Sequence, residues 1–284
     1  MTNKGKGSFL SINPKAKIFE ELKTQMPNWW FQFINDIELY VDIRKDNSIN
    51  IYYFGGSVAR IEFKNKYGFV AKVHQKYLGD FKPRGKTKKG NDRFEYDQIN
   101  MSLFTKKGIE EIKKHIKETY LKHIGNERPA EKWIQGKLIT ENLNYIDSEF
   151  QFNQDSKIGR LRIDLIELFS GKLSFVELKG ITDNRLRNDE KRNLNVPEII
   201  EQMKKYQSFI EIYKTDLKEY YKKLIEIKQN LRLTTITETE FNINQKPKLI
   251  IVDTYKKMTN KREERIHDIK KLLETNNIDY RIIK

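Results

Sequence analysis

An apolar stretch of the sequence, GRLRIDLIELFSGKLSFVELKG at residues 159–180, carries several charged side chains, three of which could do chemistry together. They are Asp164, Glu177 and Lys179, and the residues around them are mostly Leu, Ile, Phe and Val. A charge inside a buried sheet is costly unless it is paired or bound to a metal ion. Two acids and one amine in such a place are suited to holding a divalent cation and hydrolysing a phosphodiester.

The same stretch predicts a β-hairpin whose turn is the Ser-Gly dipeptide at 170–171. A two-residue turn places Asp164 directly opposite Glu177, with Cβ atoms about 4.5–5.5 Å apart. The same register places Arg162 opposite Lys179, and because side chains alternate along a strand, all four share one face. Apolar residues fill both faces nearer the turn, which is typical of central strands in an α/β sheet.

Opposed carboxylates raise the pKa of one of them or recruit a cation. Mg²⁺ takes hard oxygen ligands, commonly one or two protein carboxylates with waters and phosphate oxygens, and Asp164 and Glu177 match that demand. Lys179 points into the same site, where an ammonium would hold the attacking water or offset phosphoryl charge. The alternative is an exposed network in which Asp164 pairs with Lys179 and Glu177 pairs with Arg162. The two apolar faces of the hairpin favour the metal site.

Taken with a later helix that carries Gln202 and Tyr206, these residues resemble the PD-(D/E)xK nuclease superfamily, which has the restriction-endonuclease-like fold. Asp164 supplies the acid, and the triplet Glu177-Leu178-Lys179 follows on the next strand. The resemblance covers residues of about 127–255 and leaves the N-terminal part unexplained. It implies a mixed sheet flanked by helices.

The resemblance also implies a role for each residue of this motif. Asp164 and Glu177 would bind Mg²⁺, for which Mn²⁺ can substitute, and Lys179 would assist hydrolysis. The backbone carbonyl of Leu178 would be a further metal ligand. Ile163 stands where the family often has Pro, a departure that is itself common in the family.

Two further matches come from neighbouring helices. Glu131, in PAEKWIQGKL, best matches the Glu that many members place before the core sheet, and Glu127 and Glu149 are weaker matches. Gln202 and Tyr206 match the Gln-x-x-x-Tyr helix of one branch and lie on one helix face, where they would adjoin the carboxylates and the nucleic acid. A first-turn Glu131 also suits the helix dipole, and Tyr206 also suits an apolar core.

Two basic segments are candidate contacts for a nucleic-acid backbone. The loop after the second hairpin strand carries Arg185 and Arg187. An earlier segment, FKPRGKTKKGNDR at 81–93, carries six basic residues against one Asp, and Lys86 and Lys88 are among them. Solvated loops have the same composition, so that alternative stays open for both segments.

The composition bounds the class of protein. The chain has 284 residues and a formal net charge of +15, which favours a polyanionic partner such as nucleic acid. The alternative is that the positive charge only reflects a proteome rich in Lys, Asn and Ile and has no functional meaning. The absence of Cys excludes disulfides and thiolate catalysis and favours a cytoplasmic location. No run of about 18 apolar residues occurs and the N-terminus lacks an apolar signal core, so no membrane partner is expected.

The pattern along the chain predicts two domains. Alternating segments over 38–74 predict an antiparallel meander with the pair Gly55-Gly56 as a hairpin turn. Two short helices separated by Pro27 precede this meander, and another helix follows it. We expect a smaller α+β domain at 1–125 and a nuclease-like domain at 126–284.

The second domain is expected to be α/β, with a restriction-endonuclease-like mixed sheet flanked by helices. Strands that alternate with helices after residue 245 predict a parallel portion of that sheet. A long helix opens at Pro197 and carries apolar residues at steps of four and three from Ile199 to Leu231. This stripe is expected to pack partly on the sheet and to meet the N-terminal domain or a second subunit, so a homodimer is an open possibility.

The sequence therefore predicts a metal-dependent nuclease, with DNA favoured over RNA because the resembled family acts mostly on DNA. A restriction or phage-defence role follows by the same analogy. Two alternatives stay open. One is a non-catalytic nucleic-acid-binding protein on a nuclease-like fold, and the other is a dimeric interaction scaffold built on the long helix.

Overall fold

The computed structural model of the protein describes residues 11–79, 96–121, 130–153, 158–187, 196–238 and 240–284. Its fold is mixed α/β, with one antiparallel and one mixed sheet. The chain divides into two compact units. The first takes the described parts of Met1–Lys122 together with Lys132–Leu143 and Lys222–Thr237. The second takes the described parts of His123–Glu131, Asn144–Tyr221 and Glu238–Lys284.

Five strands form the sheet of the first unit. They are β1 (Leu39–Ile43), β2 (Ile49–Tyr53), β3 (Gly56–Lys64), β4 (Gly68–His74) and β5 (Tyr96–Ile99). The strands lie in sequence order and each neighbouring pair is antiparallel. The predicted meander is therefore confirmed.

The turn between β2 and β3 is formed by Phe54 and Gly55, so the predicted turn pair Gly55-Gly56 was wrong by one residue. Phe54 has φ 42° and Gly55 has φ 84°, and a type I′ turn requires positive φ at both central positions. Gly56 instead opens β3 and pairs with Tyr53. A Cβ on Gly56 would lie 2.5 Å from Ile116, so its missing side chain serves close packing.

Helices pack against this sheet. Those that begin before residue 150 are α1 (Lys17–Gln25), α2 (Asn28–Ile34), α3 (Lys106–Tyr120) and α4 (Glu131–Glu141). The break at Pro27 between α1 and α2 was predicted. In α4, Gly136 permits a close approach, since a Cβ there would lie 2.5 Å from the Cα of Phe54. Buried Trp30 and Phe33 of α2 belong to the core of this unit.

Six strands form the sheet of the second unit. They are β6 (Tyr145–Phe152), β7 (Leu161–Phe169), β8 (Lys172–Gly180), β9 (Asn242–Ile243), β10 (Lys248–Val252) and β11 (Asp279–Ile283). The order is β11-β10-β8-β7-β6, and β9 pairs with β8. Strands β6, β7 and β8 are antiparallel, whereas β10 runs parallel to both β8 and β11. The predicted parallel portion is confirmed.

Strands β7 and β8 form the predicted hairpin at the centre of this sheet. Ser170 and Gly171 have φ values of 49° and 66°, as a two-residue turn with left-handed central residues requires. The backbone ladder extends from the turn to the pair Leu165 and Val176 in the predicted register. Both strands are buried on both faces over most of their length, and β6 and β10 pair with their outer edges within the sheet.

Two more helices are α5 (Glu198–Asn230) and α6 (Asn260–Thr275). Helix α5 follows Pro197 as predicted, but its backbone leaves helical values at Tyr213, with φ −106° and ψ 16°, so the helix is kinked there. The predicted stripe is buried along both parts, as Met203 and Leu224 illustrate. The chain itself therefore covers this apolar face, and a homodimer through it stays a prediction without support from the fold.

Among the described residues, no helix is both long and apolar enough to cross a membrane. A cut between domains at residues 125 and 126 stays a prediction, as does the assignment of the mixed sheet to the restriction-endonuclease-like fold.

Candidate active site

The candidate site lies beyond the β7–β8 ladder, at the end of the hairpin remote from its turn. The last pair of the ladder is Leu165 and Val176. Beyond it, the Oδ2 atom of Asp164 accepts a hydrogen bond of 2.9 Å from the backbone N–H of Leu178. A side-chain carboxylate thus satisfies a backbone donor of the neighbouring strand. The contact fixes Asp164 beside the strand that carries Glu177 and Lys179.

The ammonium of Lys179 lies at the centre of this cluster. Its Nζ contacts the carboxylate of Glu177 and lies 2.7 Å from the carbonyl oxygen of Leu178. The Oε2 atom of Glu131 is 3.5 Å from Nζ, and the Oδ2 atom of Asp164 is 3.8 Å from it. Lys179 is only 1% exposed. Three carboxylates and one carbonyl therefore surround one buried cation, and they include every metal ligand that the resemblance implies.

The salt-bridge network considered above is present only in part, since Asp164 pairs with Lys179 at 3.8 Å but Glu177 does not pair with Arg162, and the cluster is not exposed. Asp164, Glu177 and Lys179 are all buried, and the predicted alternative partner of Glu177 is engaged elsewhere. The guanidinium of Arg162 contacts the carboxylate of Glu149 on β6. Glu149, a weaker match for a metal ligand, is thereby paired with an arginine.

Two residues of α5 hold the carboxylate of Glu177 from the other side. The Nε2 of Gln202 donates to Oε1 of Glu177 at 2.7 Å and to the hydroxyl of Tyr206 at 2.8 Å. The Tyr206 hydroxyl donates to Oε2 of Glu177 at 2.9 Å and also contacts the carbonyl of Arg162. The two helix residues therefore fix both oxygens of one acid, and the buried Tyr206 also belongs to the core as its apolar spacing suggested.

The pKa values of Asp164, Glu131 and Lys179 are all raised from their ordinary values. Burial and the nearby charge of Glu177 raise the pKa of Asp164 to about 7. Burial also raises the pKa of Glu131, although Lys179 works against that rise. Burial opposes the charged form of Lys179, yet contacts with Glu177 and Asp164 still raise its pKa. Three acids thus share one buried amine, and a further cation would relieve the remaining charge.

The donor set fits a hard divalent cation. Each atom facing the ammonium is an oxygen, and Mg²⁺ commonly takes one or two protein carboxylates with waters and phosphate oxygens in its remaining positions. The described residues contain no group of three or more His, Cys, Asp or Glu side chains placed to hold an ion. A metal here would therefore rely on no more than two of these carboxylates, with the Leu178 carbonyl as a further ligand, and the role of Glu131 as a metal ligand stays a prediction.

The cluster opens into a cavity of about 650 Å³ within the second unit. Its wall holds four cations, Arg160, Arg162, Arg185 and Lys205, and two acids of α5, Glu198 and Glu201. The exposed part of the wall carries both signs of charge, whereas Asp164 and Glu177 are buried. The cations of the wall could contact a phosphate ester held beside a metal.

No family model, curated protein or solved structure matches this chain. The interpretation of the site therefore depends on its own geometry.

The predicted nucleic-acid contacts are distributed over different places. Arg185 lines the cavity, with its Nη2 atom 3.5 Å from Oε2 of Glu131. Arg187 contacts the side chain of Asn184 and lines a different cavity of about 560 Å³ beside α6. Lys86 and Lys88 lie outside the described residues, as does Glu127, the other weaker match for a metal ligand.

Sequence reasoning missed several residues of the cavity. Lys205 follows Gln202 by three positions, so helical spacing alone could have placed both on one face. Asp183 does not line the cavity, but it accepts two hydrogen bonds from the side chain of Arg185, which does, and the Asp-x-Arg spacing was a weak signal for that pair. Arg160 precedes Arg162 by two positions and lines the same cavity.

Proposed function

We propose that this protein is a metal-dependent nuclease that hydrolyses phosphodiester bonds of DNA. The observation that carries the proposal is the convergence of carboxylate and carbonyl oxygens on the buried ammonium of Lys179. Such a set of hard oxygens, with surplus negative charge, suits Mg²⁺ or Mn²⁺.

Asp164, Glu177 and the carbonyl of Leu178 would hold the ion. When bound, it would polarise the phosphate and supply a water of lowered pKa. Lys179 would then offer its ammonium to that water or to the charge that develops on the phosphoryl oxygens. Gln202 and Tyr206 would keep Glu177 in one orientation, a role that outer-shell partners of metal ligands commonly have.

The cavity favours a phosphate ester over a neutral substrate. Arg160, Arg185 and Lys205 line it together with the acids, and the whole chain carries a net charge of +15. Both features attract a polyanion. The preference for DNA, endonucleolytic cleavage and a role in restriction or phage defence are proposed by analogy with the resembled superfamily.

A non-catalytic nucleic-acid-binding protein is the second candidate, and one observation favours it. The Lys179 ammonium already contacts Glu177, Leu178 and Glu131, so the acids are partly neutralised without any metal. In that case the basic wall of the cavity would bind nucleic acid and no bond would be cleaved.

Incubation with supercoiled plasmid separates the two candidates. We expect nicking or linearisation with Mg²⁺ and none with EDTA. Lys179→Ala should abolish cleavage while gel-shift binding of the plasmid persists. Lys172→Ala, an exposed lysine on the same strand, is the matched control and should cleave as the unchanged protein does. Binding without Mg²⁺-dependent cleavage would establish the non-catalytic alternative, and end-labelled RNA in parallel would test the preference for DNA.

A further inference from the structure

The turn after β8 presents an arginine to the cavity in a fixed orientation. Two donors of the Arg185 side chain, Nε at 3.1 Å and Nη2 at 2.7 Å, donate to the two carboxylate oxygens of Asp183. The backbone N–H of Arg185 donates to the same carboxylate at 2.8 Å. A planar guanidinium bound along one edge by a carboxylate loses the freedom to rotate.

The opposite edge of this guanidinium has donors left over. Arginine carries five N–H donors, and the pair with Asp183 uses two of them. Glu131 also lies near Arg185, with its Oε2 3.5 Å from Nη2, and the charge of Glu177 acts on the same guanidinium. Since Arg185 lines the cavity that contains Asp164, its remaining donors are candidates to bind an anionic ligand there.

The side chain of Arg185 keeps its positive charge. Hydrogen bonds that Arg185 donates to Asp183 raise the pKa of Arg185 above its already high ordinary value, although burial opposes the charged form. The same pairing keeps the pKa of Asp183 below its ordinary value, in spite of its burial. The pair therefore stays ionised over the whole range in which the protein would work.

A second arginine fixes the turn itself. Arg265 of α6 donates through Nε to the carbonyl of Ile181 at 3.0 Å and through Nη2 to the carbonyl of Asp183 at 3.2 Å. The backbone N–H of Ile181 donates to the carbonyl of Val252 on β10 at 2.9 Å. The turn that carries Asp183 is thus held by a helix and a strand that lie far from it in sequence.

We propose that Arg185 binds a non-bridging phosphate oxygen of the nucleic-acid strand beside Asp164, and that Arg265 is a positioning residue acting through Asp183. This inference rests on the proposed function for its substrate class, a phosphodiester chain. It assigns the two arginines different tasks, since Arg185 would contact the substrate and Arg265 contacts the turn.

The competing interpretation is that Arg185 and Asp183 form a structural ion pair. A structural pair would affect stability but would leave the salt dependence of nucleic-acid binding unchanged. A phosphate contact, in contrast, contributes about one unit to the slope of log affinity against log salt concentration.

The test measures binding of a fluorescein-labelled single-stranded oligodeoxynucleotide by anisotropy, in EDTA so that nothing is cleaved, across a salt series. A labelled duplex of the same sequence is measured in parallel. We expect Arg185→Ala to weaken binding about tenfold and to lower the salt slope by about one. Arg265→Ala should weaken binding less and lower the slope in the same direction.

The double variant decides whether Arg265 acts through Arg185. If it does, Arg185→Ala combined with Arg265→Ala binds no more weakly than Arg185→Ala alone. Additive losses would overturn the positioning role. Lys261→Ala is the matched control, because it removes an exposed cation one turn away on the same helix. It should not show the weaker oligonucleotide binding expected for Arg265→Ala.

A folding control accompanies these variants. If Arg265→Ala lowers the thermal midpoint, Arg265→Lys is measured as well, because it keeps the charge and one hydrogen bond. Its binding affinity should lie between that of the unchanged protein and that of Arg265→Ala. An unchanged salt slope in Arg185→Ala would overturn the phosphate contact, even for a protein that cleaves DNA. Arg185-dependent binding in a protein that never cleaves would instead defeat the nuclease proposal and leave this inference standing.

Discussion

The carboxylate of Asp164 accepts a hydrogen bond of 2.9 Å from the backbone N–H of Leu178 on the neighbouring strand. This contact joins the first acid of the site to the strand that supplies the other acid and the amine. Because the two strands pair in register up to Leu165 and Val176, the geometry of the site is set by the hairpin and not by a loop.

Loss of the central amine should be compensated by a divalent cation. In metal-free buffer, Lys179→Ala leaves the buried acids without their shared partner, and we expect unfolding free energy to fall by about 3 kcal/mol. Millimolar Mg²⁺ should restore most of that loss, since a ligand bound only by the folded state stabilises it. Urea titrations with EDTA and with Mg²⁺ measure both effects.

The control for this experiment is Lys172→Ala, which removes an exposed lysine from β8 and should show neither effect. If Mg²⁺ fails to stabilise Lys179→Ala, the oxygens around this position do not form a cation site.

The pKa of Asp164 predicts a specific dependence of stability on pH. Its folded value of about 7 lies above the ordinary value of 3.8, so the folded protein holds this proton more tightly than the unfolded chain. The stabilising contribution is complete below about pH 4 and is lost as pH rises through about 7. Metal-free protein should therefore be less stable at about pH 8 than at about pH 5.

Asp164→Asn removes this titration. At about pH 8 in EDTA it should be more stable than the unchanged protein, by the order of 2 kcal/mol, and it should gain nothing from Mg²⁺. Thermal unfolding across the pH range provides the comparison. Asp279→Asn, which replaces an exposed acid of the same sheet, should keep the original profile. A profile unaltered by Asp164→Asn would contradict a raised pKa at this residue.

The hydroxyl of Tyr206 should matter beyond its contribution to the core. Tyr206→Phe keeps the ring but removes the donor to Glu177 and the acceptor for Gln202. We expect about tenfold slower Mg²⁺-dependent cleavage, the lower end of the range for partners of metal ligands, and a stability loss of about 1 kcal/mol. Initial rates over a Mg²⁺ series measure the first effect.

Tyr280→Phe is the matched control, because its hydroxyl bonds to Glu274 at an exposed position on the same unit. Equal rates for Tyr206→Phe and Tyr280→Phe would show that the hydroxyl does not orient Glu177.

Sequence reasoning worked best where local rules decide the structure. The dipeptide at 170–171 fixed the register of the hairpin, because a two-residue turn allows one pairing and both residues accept positive φ. The same reasoning placed the turn before β3 one residue too late, because the pair Gly55-Gly56 resembles a two-residue turn. In the fold, Phe54 takes the left-handed position and Gly56 is needed for packing against Ile116.

Long-range contacts were beyond the reach of the sequence. Arg265 meets the turn at Ile181 although more than eighty positions separate them, and no spacing rule connects residues so far apart. The kink at Tyr213 was likewise missed, because the apolar steps continue through it unchanged. The sequence predicted only that Lys179 shares one face of the sheet with Asp164 and Glu177. It did not predict a buried amine surrounded by oxygen atoms.

The close approach at Gly136 gives a prediction for the first unit. A Cβ at this position would lie 2.5 Å from the Cα of Phe54 and 2.8 Å from the backbone nitrogen of Gly55. Backbone atoms cannot move aside cheaply, so Gly136→Ala should lower the free energy of unfolding by about 2 kcal/mol in spite of its better helix propensity. Lys137→Ala, at the next and exposed position, should stay within about 0.5 kcal/mol in urea unfolding. A neutral Gly136→Ala would contradict this packing.

A crystal soaked in Mn²⁺ and measured at the manganese absorption edge would show whether the site binds a metal ion. We expect an anomalous peak between the carboxylates of Asp164 and Glu177, within about 2.5 Å of an oxygen of each, with the Lys179 ammonium displaced from Glu177. A map without that peak, in which Lys179 still pairs with Glu177, would contradict metal binding at this site.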